Sequence, residues 1–392
     1  MNRRIFSSFI FLLLAGWAFA VSVTPAGNLP EYYAAVNNQS GKNLFDKVHT
    51  VAKVGYHSLG YDGLWSAYKQ TDVRPDGTIW DMYSDCHFKL GSKQCGSYKN
   101  ECDCYNREHS IPKSWFGKTT SGPGCDIFHL VPTDGKVNGM RSNYAFGEVS
   151  SASYTSGNGS KLGSSKTISV NGKTVAGDNI SATCSGRVFE PVDEYKGDFA
   201  RGYFGTMIRW AGDHQAFTSG NGGSIFSGNY TATGNFGLTK YGVALLLKWH
   251  REDPVSEKEI DRNNAVYGCQ QNRNPFVDYP GLEEYIWGGK QNVAFSYDNY
   301  DNSTDPGTDP DPNPDPDPNP DPDPDPNPDP DPNPDPDPNP NGVVFTLVKS
   351  ETEINAGSYY ILVFAGNDKV KSCALSDLTD GKNFYTSADV TI

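Results

Sequence analysis

The residues best suited to chemistry lie between positions 106 and 143. Arg107-Glu108-His109 is followed by Pro112 and Lys113, then by Asp126 and His129, and then by Val137-Asn138-Gly139-Met140-Arg141-Ser142-Asn143. A carboxylate (Glu108) and an amide oxygen (Asn138) suit a hard divalent cation that keeps several waters and binds phosphate directly. A neutral imidazole beside them (His109) takes a proton from an attacking water, since its unperturbed pKa lies near working pH. The set describes metal-assisted hydrolysis of a phosphodiester. Glu108-His109 alone reads as a surface pair; Asn138 and the ordered blocks around it make the reading catalytic.

Three elements must bring these groups together. Ile127 to Val131 reads as a strand, Pro132 to Lys136 as a turn, and Val137 to Ala145 as a helical segment. A strand carrying His109, a second strand and a returning helix would then converge Glu108, His109 and Asn138. Asp126 reads as a residue that orients His109 or caps the turn, with orientation favoured. His129 reads equally as a packed core histidine or as support for the site, and Asn143 is placed with it among the supporting residues. His250, with Glu252 and Asp253, follows an apolar helix and reads as capping and packing rather than a second metal site. Arg262, Arg273 and Asn274 read as structural or backbone-binding. Further helical patterns occupy Gly41–Val54, Phe199–Ala211 and Leu238–Arg251, while Ser150–Ser165 and Ser219–Gly234 read as surface loops or hairpins. The fold class expected is α+β with long loops.

The ordered blocks resemble the endonuclease I family of periplasmic and secreted bacterial nucleases, which carry a ββα-metal finger. The family's Glu-His pair followed by Pro matches Glu108, His109 and Pro112. Its Asp-x-x-x-Leu-x-Pro block matches Asp126, Leu130 and Pro132, and its Val-Asn-Gly-x-Arg-Ser-Asn block matches Val137 to Asn143. The similarity extends from about Leu29 to Gly288. It implies His109 as general base and Glu108 and Asn138 as ligands of a divalent cation, Mg²⁺ first, with Ca²⁺ or Mn²⁺ as alternatives. The metal would stabilise a leaving 3′-oxygen and leave a 5′-phosphate. It also implies an arginine bracing the phosphate, with Arg141 and Arg107 as alternatives and Lys113 beside them. Related enzymes carry more charged residues between the first two blocks than this chain, whose Gly117–Gly124 loop has Lys118 as its sole charge. The expected substrate is DNA, and RNA as a further possibility, cut with little sequence specificity because no base-reading module is evident. A monomer with no protein partner is expected. The rival readings are a binding protein that has lost catalysis and a phosphoesterase for small substrates.

The chain opens Met1-Asn2-Arg3-Arg4, runs mostly apolar through Ala18 and reaches Ala18-Phe19-Ala20, the pattern of a secretory signal peptide over residues 1–20. The run is shorter than the roughly 20 apolar residues of a spanning helix. A secreted or periplasmic protein without a membrane span is therefore expected. Eight cysteines agree with an oxidising compartment, and Cys86, Cys95, Cys102 and Cys104 are expected in disulfides rather than around zinc. With Cys125, Cys184 and Cys269 the first domain has an odd count, which predicts one free thiol. The net charge of −14 is concentrated between Asp305 and Asp337, where 12 aspartates occur without Lys or Arg. It therefore does not exclude a local basic groove for a polyanion. The expected organisation is a nuclease domain over 21–304, a disordered Asp/Asn-Pro linker over 305–341, and, over 342–392, a short β-rich module or the beginning of a larger one.

Overall fold

The computed structural model describes residues 29–174, 177–213 and 217–297. The expected signal peptide, Asp/Asn-Pro linker and C-terminal module lie outside these residues. The helices are α1 (Leu29–Tyr32), α2 (Gly41–Lys53), α3 (Gly60–Thr71), α4 (Gly135–Arg141), α5 (Lys196–Arg209), α6 (Lys240–Glu252), α7 (Glu257–Gln270), α8 (Pro275–Asp278) and α9 (Leu282–Ile286). The strands are β1 (Tyr105–His109), β2 (Leu130–Asp134), β3 (Ala145–Phe146), β4 (Val149–Thr155), β5 (Lys161–Ser165), β6 (Ile168–Thr174), β7 (Gly177–Ala182) and β8 (Arg187–Glu190). The class is α+β, as the sequence predicts.

The centre of the fold is α5, which is buried along almost its whole length and packs against α2 and α6. Its sequence, Lys-Gly-Asp-Phe-Ala-Arg-Gly-Tyr-Phe-Gly-Thr-Met-Ile-Arg, surrounds it with aromatic and aliphatic neighbours such as Phe146, Trp249, Phe276 and Trp287. Gly205 allows one close approach there, because a Cβ would stand 2.6 Å from the Asn274 carboxamide. That carboxamide donates to the Arg201 carbonyl at 3.0 Å and caps α8 through the Phe276 amide at 3.1 Å. The helices expected near positions 41, 199 and 238 are α2, α5 and α6. Ser150–Ser165 is largely the β4–β5 hairpin, whereas Ser219–Gly234 contains short 3₁₀ turns.

Three sheets surround this centre. β1 and β2 form an antiparallel pair in which Tyr105 faces Asp134, Arg107 faces Pro132 and His109 faces Leu130. A second sheet runs β3-β8-β5-β4, with β3 and β8 parallel, and β6 and β7 make a separate hairpin. The strand expected over Ile127–Val131 starts three residues later. The Asp126 carboxylate accepts from the Phe128 amide and folds Ile127–His129 into a 3₁₀ turn before the chain extends. The expected turn at Pro132 is inside β2, where a residue without an N–H is tolerated because β2 pairs only with β1.

Disulfides Cys86–Cys102 and Cys95–Cys104 cross-link the segment that enters β1. The remaining thiols correct the expectation of a single free one: Cys125, Cys184 and Cys269 are all unpaired with one another.

Candidate active site

The site is the β1–β2 hairpin with α4 folded against it. Alternation along β1 sends Asn106 and Glu108 to one face and Arg107 and His109 to the other. α4 covers the first face, and α3 covers the second.

Asp134 starts α4 by accepting from the Val137 amide at 2.9 Å, and its second oxygen accepts from the Cys102 amide at 2.8 Å. The disulfide-linked loop is thus tied to the helix that carries Asn138. Gly139 has a packing reason: a Cβ there would stand 2.1 Å from the Tyr98 hydroxyl oxygen. Asn138 donates through Nδ2 to Asn106 Oδ1 at 2.7 Å, which leaves its own amide oxygen available to accept. Glu108 is 3 % exposed; its Oε1 accepts from the Tyr83 hydroxyl at 3.1 Å and lies 3.3 Å from Arg141 Nη1. Burial pushes the Glu108 carboxyl up to about 7, against the opposing pull of Arg141 and the Tyr83 hydrogen bond. Such a carboxylate gains from a nearby cation. One buried carboxylate and one oriented amide oxygen on the same face fit a hard divalent ion completed by water and phosphate oxygens. Among the described residues no cluster of three or more His, Cys, Asp or Glu side chains could hold a metal, so the fit is to this sparse oxygen set.

His109, 6 % exposed, lies on the opposite face of β1. Its Nε2 is 3.2 Å from the Gly124 carbonyl, which can only accept. Nε2 therefore carries the hydrogen, and Nδ1 keeps the lone pair. Burial, reinforced by His129, holds its pKa well below 6.5, so the ring is neutral and basic in form at neutral pH. The ring stacks on Tyr61 with centroids 5.6 Å apart and lies 5.8 Å from His129. His129 is fully packed, and its Nε2 donates to the Pro123 carbonyl at 2.6 Å. Two imidazoles are thus pinned to consecutive carbonyls of the Gly122–Cys125 turn.

The other predicted site residues divide clearly. Arg141 does not reach solvent: it is 0 % exposed, and its guanidinium serves Glu108, the His109 and Ser110 carbonyls and the Tyr203 hydroxyl. This corrects its placement as a phosphate contact; it is a buried brace for β1. Asp126 likewise does not orient His109 directly. Its carboxylate pairs with Arg209, accepts from Trp210 Nε1 at 2.9 Å and Gln270 Nε2 at 3.1 Å, and caps the 3₁₀ turn. Asn143 is exposed, with its side chain 3.4 Å from Ser114 Oγ and its carbonyl accepting from Asn221, so it joins surface segments rather than supporting the base. Arg107 and Lys113 remain on the His109 side, 3.5 and 5.3 Å from the Tyr61 ring centroid. His250 is packed between Arg201, at 3.1 Å, and Glu283, at 2.5 Å, within the helical core. Arg262 and Arg273 are likewise structural, paired with Asp72 and Asp278.

Sequence reasoning missed Asn106, Tyr83 and Tyr61. Asn106 had a usable signal, since it sits two residues before Glu108 on one strand face. Tyr83 and Tyr61 had none, because only tertiary packing brings them to β1.

The family model for Endonuclease I matches residues 38–281. The chain belongs to the Endonuclease I family. The match spans every element that builds the site, from α2 to α8, and makes this chain a nuclease. Among curated relatives, an extracellular ribonuclease of Bacillus amyloliquefaciens is 34 % identical over 271 residues, 68 % of this chain and 81 % of the relative. An extracellular ribonuclease of Bacillus subtilis (strain 168) is 29 % identical over 283 residues, 69 % of this chain and 83 % of the relative. Among the described residues, no helix is long and apolar enough to cross a membrane.

Proposed function

We propose that this Endonuclease I family member is a secreted, metal-dependent endonuclease that hydrolyses nucleic-acid phosphodiester bonds without reading sequence. The observation that carries the reading is the Gly124 carbonyl, which fixes the His109 tautomer and leaves Nδ1 as the base. Nδ1 takes a proton from the attacking water. Glu108 and Asn138 would hold a divalent cation, Mg²⁺ first and Ca²⁺ or Mn²⁺ next. When bound, such an ion neutralises charge on the scissile phosphate and the departing oxygen. Arg107 and Lys113 place positive charge on the His109 side of β1. Attack by water expels the 3′-oxygen, which takes a proton from solvent, leaving a 5′-phosphate and a 3′-hydroxyl.

This chemistry does not require a 2′-hydroxyl, so both RNA and DNA are substrates. The names of the two Bacillus relatives favour RNA as a natural one. They also support export, in agreement with the N-terminal sequence pattern. A second reading, a metal-free ribonuclease attacking through the 2′-hydroxyl, would give 2′,3′-cyclic phosphate ends. The test is cleavage of matched RNA and DNA oligonucleotides by the full chain, with Mg²⁺, with chelator, and as His109→Ala. The expected result is Mg²⁺-dependent 5′-phosphate ends from both, lost about 10²–10⁴-fold in His109→Ala. Chelator-resistant cyclic ends from RNA alone would establish the second reading.

A further inference from the structure

With Arg141 buried, Arg107 is the arginine on the His109 face of β1, and its surroundings are unusual. Tyr61 and Trp65 are four residues apart on α3 and so share one helix face. The Arg107 guanidinium carbon lies 3.5 Å from the Tyr61 ring centroid and 4.7 Å from that of Trp65. Nη1 donates to the Tyr61 carbonyl and lies 3.3 Å from the Asp62 carboxylate, which is itself 98 % exposed. Nε and Nη2 have no acceptor among the described residues. Tyr61 also stacks on His109, so one ring touches both the base and the cation.

Resting on the nuclease reading above, we propose that Tyr61 and Trp65 form an aromatic clamp that presents Arg107 edge-on to the phosphate beside His109. Arg107 is thereby the substrate-contacting arginine, and Tyr61 and Trp65 are positioning residues. A guanidinium is planar and weakly hydrated, so aromatic faces hold it without consuming its N–H edge. One end of that edge is fixed by the Tyr61 carbonyl. The remaining donors suit two oxygens of one phosphate, a geometry that a lysine ammonium does not reproduce. The clamp removes rotamer freedom from a long side chain before substrate arrives.

Chemical rescue tests the clamp separately from folding. The full chain with Mg²⁺ is assayed on a short oligonucleotide as wild type, Arg107→Ala, Arg107→Lys, Tyr61→Phe, and the double variant Tyr61→Leu/Arg107→Ala. Arg107→Ala is expected to lower kcat about 10²-fold. Arg107→Lys should recover little of that loss, and Tyr61→Phe, which keeps the ring face over Arg107, should lose far less than Arg107→Ala. Millimolar guanidinium ion should restore part of the rate to Arg107→Ala, because the slot between the rings persists. It should restore none to the double variant. A wild-type rate in Arg107→Ala with only a lowered melting temperature would make Arg107 a structural staple and overturn the inference. Equal rescue of both variants would remove the rings from it. A wild type that cleaves no nucleic acid with any divalent ion would sink the nuclease reading itself, and this inference with it.

Discussion

Replacing Arg141 by methionine separates a buried brace from a phosphate contact. Methionine keeps much of the volume and removes the charge and the donors. In the native protein the guanidinium lies 3.3 Å from Glu108 and donates to the His109 and Ser110 carbonyls. Loss of one partner from a buried ion pair costs about 3–5 kcal/mol. Glu108 lowers part of that cost by taking up a proton, since burial already places its carboxyl at about 7 and loss of Arg141 raises it further. About 3 kcal/mol therefore remains as a working figure. For a domain of this size each kcal/mol moves Tm by about 2–4 °C, so a fall of about 10 °C is expected. Thermal unfolding with chelator present measures this without a contribution from bound metal. The activity below Tm should show weakened metal dependence, because the neutral carboxyl is the poorer ligand. A melting temperature unchanged within about 1 °C, with kcat reduced about 10²-fold, would refute the burial argument and return Arg141 to the phosphate.

Two further outcomes follow from the same geometry. The pKa of His129 is lowered by burial from 6.5 to about 4. The unfolded chain therefore binds this proton first as pH falls, so stability is full above pH 6.5 and declines down to about 4. The linked loss is about 3 kcal/mol. His129→Gln, which keeps a donor for the Pro123 carbonyl, should flatten that part of the urea-midpoint profile; an unchanged slope between pH 6.5 and 4 would contradict it. Asn106→Ala releases the Asn138 amide and should weaken metal affinity about 10-fold, since partners that orient ligands matter nearly as much as ligands. Titration of Mn²⁺ by calorimetry checks this, and an unchanged affinity would place Asn106 outside the site.

The local chemistry of the site was legible in the chain itself. Glu108, His109 and Asn138 stood out because few tasks require a carboxylate, an imidazole and an amide in that order. The helices α2, α5 and α6 were readable because their apolar residues recur with helical spacing. The β2 boundary was misread because apolar content alone does not separate a strand from a 3₁₀ turn held by an Asp126 cap. Arg141 and Arg107 could not be distinguished along the chain, since both are arginines close to the reacting pair. Only packing decides that α4 inserts Arg141 beneath β1 while α3 lays Tyr61 and Trp65 over Arg107. The sequence by itself thus identified the nuclease family and nominated the groups for its chemistry. Tertiary structure decided which of two like charges is desolvated as a brace and which keeps an open edge. That division depends on contacts between residues far apart in the chain, whose sum no local pattern records.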